Sequence, residues 1–312
     1  MARITADDRL LVRMLELRAA GEADWPKELS AALRCNSAVV QEAASLAADF
    51  GVREVCEDLK QACRRLVDGG DRGACGKAAC VEALVTLEHD DAAFYDEMAA
   101  LRQVQWTPPG GEEEVAGPVR ASAAHGLANT DERPPGEVLA RLADLVADDS
   151  PLVRKEASLA AARCGGLTAV PMLRLAARTE RSAEALGGVL SGLLMATPVQ
   201  NVPLVAEYLS GRGDVAFEAA MALAECRRPD AREALLTHCR EVGVDATEGV
   251  LCGLALTRSE EAIGHLLGLL RAGCRAAVPA LASIRFVPGV EEKARRAAKT
   301  KPLKEAVAAA FF

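Results

Sequence analysis

Glu88, His89, Asp90 and Asp91 place one imidazole among three carboxylates at the predicted end of a helix. Such a group can ligate a metal ion or transfer a proton near neutral pH. The same residue types also cap helices and form turns, because short polar side chains bond to free backbone groups. We favour capping, since the chain has no His-x-x-x-His or Glu-x-x-His motif and its other histidines occur singly, at His125, His238 and His265.

Ten cysteines are the second set of reactive side chains, and none belongs to a Cys-x-x-Cys motif. In the densest group, Cys56 and Cys63 lie two helical turns, or about 10 Å, apart, which is too far to share one metal ion; Cys75 and Cys80 follow on the next predicted helix. Several cysteines take positions where related segments have alanine. We therefore predict that the cysteines serve as small buried apolar residues and that the protein lies in a reducing compartment. The alternative is that the densest group forms a metal site or a disulfide.

The segment 105–117 is the most distinctive candidate for recognition, because a Pro-Pro-Gly-Gly run interrupts the helical pattern there. It is predicted to be an inserted loop whose Trp106 and acidic residues contact a partner. The alternative is a longer connection whose Trp106 packs back on neighbouring helices, and we favour it because exposed tryptophan is uncommon. The partner-binding candidates in this segment are Trp106, Glu112, Glu113 and Glu114.

The elements around these residues are predicted to be helices in pairs, and the segment 137–166 shows the pattern most clearly. Leu142 and Leu145 belong to an apolar stripe at helical spacing. After a short turn, a second helix carries the small residues Ala157 and Ala160 on its inner side, which lets another helix approach closely. Neither helix can bury its apolar side alone, so neighbouring pairs must cover it.

Six residues of this segment match the HEAT-repeat pattern of a turn acid, a Val-Arg pair opening the second helix, a spaced alanine and a closing glycine: Asp149, Pro151, Val153, Arg154, Ala157 and Gly165. The segment resembles the bacterial HEAT repeats that also occur in phycobilin lyases. The resemblance implies an α-solenoid in which the arginine and the turn aspartate form a ladder between neighbouring repeats. By this resemblance, Asp149 and Arg154 take that structural role.

Variants of the same unit recur along the chain at intervals of roughly 30 to 40 residues, the spacing of solenoid repeats. Positions equivalent to Ala157 are Ala43, Cys80, Ala123, Val189, Ala219, Val250 and Ala277. We predict an all-α fold, an α-solenoid (superhelix) of about eight HEAT-like two-helix repeats forming a single domain over 1–312. A capping helix is predicted over 5–20. A second cap and a tail are predicted over 289–312, where Pro302 ends the cap and leaves a final helical turn or a loose tail.

Lys77, Arg120 and Arg154 share one repeat position and would form a basic stripe along the second helices. DNA-alkylation glycosylases built of similar repeats use such a face, and phycobilin lyases are enzymes on a similar scaffold. In this chain Val40, Leu186 and Ala216 interrupt the stripe. We therefore favour structural pairing for Arg120 and Arg154, and keep both as partner-binding candidates.

The formal charge of −8 disfavours nucleic acid as the partner, because phosphate neutralisation normally needs a basic balance. No signal peptide and no apolar run long enough to span a membrane is visible, so a bacterial cytoplasmic protein is expected. The sequence predicts a non-catalytic scaffold or adaptor that binds a partner protein with some basic surface on the concave face of the solenoid, without cofactor or metal. The alternative is an enzyme or enzyme subunit of the bilin-lyase or glycosylase kind.

Overall fold

A computed structural model describes residues 9–10, 12–14, 16, 25–211 and 213–311 of the chain. The chain divides into two compact units, unit 1 over Met1–Cys164 and unit 2 over Gly165–Phe312. The capping helix predicted over 5–20 lies largely outside the described residues. The assignment of 1–312 to a single domain stays a prediction.

Unit 1, in its described part, consists of helix pairs with one inserted β-hairpin. The predicted apolar stripe is present, since Leu142 and Leu145 are buried together with Val138. The helices are α1 Trp25–Ala32, α2 Ser37–Asp49, α3 Cys56–Val67, α4 Cys75–Thr86, α5 Ala92–Ala99, α6 Gly117–Asn129, α7 Pro135–Val146 and α8 Pro151–Gly165. Between α5 and α6 lie the antiparallel strands β1 Val104–Thr107 and β2 Gly111–Glu114.

Unit 2, over the described residues 165–211 and 213–311, continues the same construction with helices only, apart from short 3₁₀ turns. Its helices are α9 Val170–Thr179, α10 Ala183–Ala196, α11 Pro198–Glu207, α12 Asp214–Glu225, α13 Pro229–Val242, α14 Glu248–Leu256, α15 Glu260–Arg271, α16 Ala277–Ser283, α17 Val290–Ala297 and α18 Lys301–Ala310. The described residues thus contain the eight predicted pairs, α1/α2 to α15/α16, followed by α17 and α18. The all-α class and the α-solenoid construction are confirmed. None of the described helices combines the length and apolar character needed to cross a membrane.

The C-terminal tail forms a longer helix than the sequence predicts. Pro302 does not leave a loose tail but lies in the first turn of α18, where its missing N–H costs no helical hydrogen bond. Leu303 and Val307 are buried, and α18 packs against α16. The prediction of a cap and tail over 289–312 is therefore corrected to two helices.

Second helices of successive pairs pack on one another within each unit: α2 on α4 and α4 on α6 in unit 1, α10 on α12 and α12 on α14 in unit 2. Small residues permit this close approach. A Cβ atom added at Gly253 of α14 would lie 2.7 Å from the Cβ of Ala220 in α12. One added at Gly187 of α10 would lie 2.8 Å from the Cδ of Glu218 in α12. The contacts of Gly253 with Ala220 include backbone atoms and are shorter than van der Waals contact, so Gly253 sets the spacing of α12 and α14, whereas the Glu218 carboxyl group is the end of a flexible side chain that can move aside.

Gly126→Ala tests the same packing inside a pair of unit 1. A Cβ atom at Gly126 would lie 2.6 Å from the Cγ of Tyr95, whose buried ring is held by a hydrogen bond from its hydroxyl to the carbonyl oxygen of His89, at 2.9 Å. Alanine favours a helix interior by roughly 0.5–1 kcal/mol, but the clash should dominate and lower the free energy of unfolding by about 1–3 kcal/mol. Urea unfolding measures the difference.

Gly136→Ala is the matched control, because a Cβ atom at Gly136 in α7 would meet nothing within 4 Å. This variant should keep or raise the stability of unit 1. If Gly126→Ala were as stable as Gly136→Ala, the close approach of Tyr95 would not matter to the fold.

Candidate functional site

Arg120 and Asp148 form a buried ion pair between two neighbouring helix pairs of unit 1. Arg120 lies in α6, and Asp148 lies in the turn between α7 and α8. The guanidinium donates from Nε to Oδ2 at 3.0 Å and from Nη2 to Oδ1 at 2.9 Å. Each side chain is only 1% exposed. This two-point geometry is the strongest form of the arginine–carboxylate bond, and it joins successive pairs.

Glu114, the last residue of β2, completes this network. Nη2 of Arg120 also donates to Oε2 of Glu114 at 2.8 Å, and Nη1 donates to the carbonyl oxygen of Leu101 at 3.0 Å. Oε1 of Glu114 accepts from the backbone N–H groups of Gln103 and Ala116, at 3.2 and 2.8 Å. One buried guanidinium therefore holds the chain where it enters and where it leaves the hairpin, defined here as residues 104–114.

The base of the hairpin is also bonded to the turn that precedes α4. Nε2 of Gln103 donates to the carbonyl oxygen of Asp71 at 2.9 Å, and the N–H of Gly73 donates to Oε1 of Gln105 at 3.0 Å. Asp71 itself forms a buried ion pair with Nζ of Lys77 at 3.2 Å. The hairpin is thus bonded directly to the turn before α4 and, through Arg120, to the turn between α7 and α8.

The pKa shifts of these groups keep the network charged at neutral pH. Burial by itself would raise the pKa of Asp148, but the hydrogen bonds from Arg120 and from the backbone N–H of Ser150, together with the charges of Arg120 and Arg102, lower the pKa below its usual value. Burial opposes ionisation of Asp71 in the same way, and the hydrogen bond from the Ser37 hydroxyl helps to lower its pKa. Burial would lower the pKa of Arg120, yet the hydrogen bonds to Asp148 and Glu114 raise it.

The acid of the ladder is Asp148, which corrects the prediction for Asp149. Asp149 is exposed, and its carbonyl oxygen accepts from Nη1 of Arg154 at 2.9 Å. The same nitrogen donates to the carbonyl oxygen of Asp148 at 2.8 Å. Arg154 therefore donates hydrogen bonds to the turn of its own pair. Arg120 bonds to Asp148 of the neighbouring pair.

Burial removes Arg120 from the partner-binding candidates, which corrects that prediction and supports structural pairing. Its guanidinium is 1% exposed and bonded on every nitrogen, so no partner can reach it. The carboxylate of Glu114, 30% exposed, is bound to the same guanidinium. Arg154 is half-buried against its turn. Of the six candidates, three are exposed without such a structural role in the network: Trp106, Glu112 and Glu113.

The segment predicted as a loop over 105–117 is instead the hairpin and the start of α6. Trp106 lies opposite Glu112 in the antiparallel register, and Val104 lies opposite Glu114. Trp106 is 68% exposed and Val104 is 61% exposed. The prediction that Trp106 packs back on neighbouring helices is wrong, because side chains alternate along a strand and the inner position goes to Gln105.

A cleft of about 860 Å³ adjoins the base of the hairpin. It lies between the start of α2, the turn before α4 and the chain leading into β1. The polar residues that line it include Ser37, Gln41, Asp71, Arg72, Arg102 and Gln103. The exposed face of the hairpin, which carries Val104 and Trp106, is called the docking surface.

His125 and Glu156 form a polar contact between α6 and α8 that the sequence analysis missed. Nε2 of His125 lies 2.8 Å from Oε2 of Glu156, and Nη2 of Arg163 lies 3.1 Å from Nδ1 of the same ring. The hydrogen bond with His125 outweighs burial and lowers the pKa of Glu156. A groove of about 300 Å³ beside this contact is also lined by Glu82 and Ser122. Both ring nitrogens are engaged, so His125 links the two helices.

The acidic segment around His89 supplies caps and turns, as predicted. Asp91 caps α5 by accepting from the N–H of Phe94 at 2.9 Å. Asp90 accepts instead from the hydroxyl of Thr130 at 2.5 Å. Within the described ranges, no three His, Cys, Asp or Glu side chains are grouped to hold a metal ion.

All ten cysteines lie in the described part of the chain, and none of them forms a disulfide there. Five are buried, as expected of small apolar residues: Cys56, Cys63, Cys80, Cys239 and Cys274. Burial raises the pKa of Cys63 to about 12, and it raises the pKa of Cys80 well above the usual value. Thiols in such surroundings stay protonated and unreactive at neutral pH.

Neither a protein-family model nor a curated protein matches this sequence. Among solved structures, the chain is similar to one in the complex of CpcE and CpcF of phycocyanin lyase from Nostoc sp. PCC7120. The sequence identity is 18%, the TM-score is 0.34, and the alignment covers 92% of this chain and 96% of that chain. Function is therefore inferred from the geometry of this chain's own residues.

Proposed function

We propose that this chain is a non-catalytic protein-binding scaffold of the HEAT-repeat kind, and that its docking surface contacts the partner. The observation that carries the proposal is Trp106, 68% exposed on β1. Burying an indole ring on association gains a large apolar area, and tryptophan is enriched among the residues that dominate interface energies. Val104 extends the same apolar face.

The anchoring of the hairpin supports the proposal, because a fixed contact surface loses less entropy on binding than a mobile loop. Bonds from Arg120 hold both ends of the hairpin, and Gln103 and Gln105 hold its base. The two strands pair over their full length, from Val104 opposite Glu114 to Thr107 opposite Gly111. Trp106 is thus presented at a defined position on β1.

Charge indicates what kind of partner fits. Glu112 is exposed opposite Trp106, Glu113 is exposed at the neighbouring position of β2, and the chain as a whole carries a formal charge of −8. A partner with basic residues around an apolar contact matches this surface, and association should slow as salt screens the charges. We also propose a reducing compartment such as the cytoplasm, because an exposed thiol such as that of Cys75 persists where disulfides do not form.

Trp106→Ala should weaken the complex while leaving the fold intact. The partner is first identified by affinity capture from the protein's own organism, and the dissociation constant of the purified pair is then measured. Losing an exposed hot-spot tryptophan should raise that constant by about tenfold or more. The urea midpoint followed by circular dichroism should not move, because the ring is mostly in solvent.

Leu175→Ala is the control, since this apolar side chain is 65% exposed in α9 of unit 2 and is not part of the hairpin. It should leave the dissociation constant unchanged. A partner that binds Trp106→Ala as tightly as the unaltered chain would refute the role proposed for the hairpin.

A further inference from the structure

Unit 2 contains a second polar cleft, of about 380 Å³, at the C-terminal ends of α12 and α14. Arginines dominate its lining, although the chain as a whole is acidic. The polar residues that line it are Arg227, Arg228, Arg232, Thr257 and Arg258. No acidic side chain is among the lining residues.

Most of this positive charge has no internal counter-charge. Arg228 is paired with Asp230, through Nε to Oδ1 at 3.0 Å and Nη2 to Oδ2 at 3.2 Å. Arg258 lies over the ring of Phe286, 4.6 Å from its centroid. In the part of the chain that the structure describes, the side chains of Arg227, Arg232 and Arg258 have neither an ion pair nor a hydrogen bond. Guanidinium groups gathered in this way repel one another until an anion binds.

The backbone gives an independent reason to regard two of these arginines as selected for their side chains. Arg227 follows α12 by two residues and has φ +52°, and Arg258 holds the corresponding position after α14 with φ +53°. Left-handed backbone of this kind is strained for arginine and free of strain for glycine. After other helices the same position is held by glycine at Gly51 and Gly273, and by Glu88 with φ +55° after α4. Strained residues that cluster in one cleft point to a functional reason for keeping them.

We propose that this cleft binds a phosphoryl group. A single carboxylate would neutralise only one guanidinium, whereas a phosphoryl dianion carries more charge and three acceptor oxygens. Planar guanidinium forks match those oxygens in two-point hydrogen bonds, which lysine cannot form. The phosphoryl group belongs either to a small phosphorylated metabolite or to a phosphorylated side chain of a bound protein. All residues that line the site belong to unit 2.

The test uses the full chain, with inorganic pyrophosphate as one probe and a short phosphoserine peptide as the other, at constant ionic strength. Isothermal titration calorimetry should detect binding of at least one probe, and bound ligand should raise the unfolding temperature. Binding of pyrophosphate alone would indicate a small-molecule site. Preference for the peptide over its unphosphorylated form would indicate a phosphoprotein partner.

The decisive variant is Arg227→Gly combined with Arg258→Gly. Glycine removes both guanidinium groups and relieves the backbone strain, so the unliganded variant should melt at the same or a higher temperature while its affinity falls at least about tenfold. Arg232→Gln, at a position with ordinary helical backbone, should also weaken binding. The control Arg240→Ala removes an exposed arginine of α13 that pairs with Glu233 and should bind normally.

Two results would overturn the proposal. One is that the unaltered chain binds neither probe. The other is that the double glycine variant gains thermal stability and binds as tightly as the unaltered chain, in which case the arginines would only end their helices.

Discussion

Asp148→Ala should lower the free energy of unfolding of unit 1 by about 3–5 kcal/mol, the usual effect of breaking a buried ion pair. The substitution leaves the Arg120 guanidinium charged and 1% exposed, without its two-point partner. Glu114 keeps one hydrogen bond to that guanidinium but does not replace the bonds that are lost. Tryptophan fluorescence reports the change selectively, because the chain's two tryptophans, Trp25 and Trp106, both lie in unit 1.

Asp149→Ala is the matched control, since it removes the same charge from the exposed neighbouring residue. It should change the stability by less than about 0.5 kcal/mol. The pKa of Asp148 is lowered in the folded state, so its stabilising effect is complete above the usual aspartate pKa of about 3.9 and is lost as the pH falls below it. The difference in the free energy of unfolding between the unaltered chain and Asp148→Ala should therefore become smaller at acidic pH. Equal stabilities for the two alanine variants at neutral pH would contradict the assignment of Asp148 as the ladder acid.

Ala157→Asp should destabilise unit 1 by at least about 3 kcal/mol, because it places a carboxylate without a partner in the core. Ala157 lies on α8 and has no exposed surface. Val153 and Ala160 of the same helix are equally buried, so the carboxylate cannot reach water by a small shift. A lowered urea midpoint in tryptophan fluorescence is the expected signature.

Ala140→Asp makes the same chemical change at an exposed position of α7. Its cost should not exceed roughly 0.7 kcal/mol, the helix-propensity difference between alanine and aspartate. An Ala157→Asp variant that unfolds at the same urea concentration as Ala140→Asp would show that α8 is not packed as described.

The helix pairs follow from the sequence because apolar stripes recur at helical spacing and each stripe must be covered. Leu142 and Leu145 are an example, since their spacing predicts the buried side of α7. The same rule identifies all eight pairs, although it locates helix ends only to within a few residues. It underestimates the length of α18, because Pro302 is expected to end a helix but lies in the first turn of this one.

The hairpin could not be predicted from the same rules, because strands of four residues are too short for an alternating pattern to stand out. The Pro-Pro-Gly-Gly run predicts a turn, which is correct for its centre. The exposure of Trp106 depends on which face of the hairpin lies toward the helices. The bonds of Gln103 and Gln105 to a turn some 30 residues away determine that face.

The spacing to the following basic residue distinguishes Asp148 from Asp149 in the sequence. Asp148 precedes Arg154 by six residues, just as Asp71 precedes Lys77. The buried acid of each turn is the one at that spacing. By contrast, the partnership of Arg120 with Asp148 spans 28 residues and needs the packing of three helices to arise.

The bonds that fix the hairpin to the helices all attach near its base, through residues 101–105 and Glu114. The tip at 108–110 and the indole of Trp106 stand outside those bonds. Fold stability and the proposed partner contact therefore depend on different residues of one short segment. Substitutions at the tip should therefore leave the packing of the helices unchanged. A foreign peptide epitope inserted there would be displayed on a hairpin that is anchored at its base.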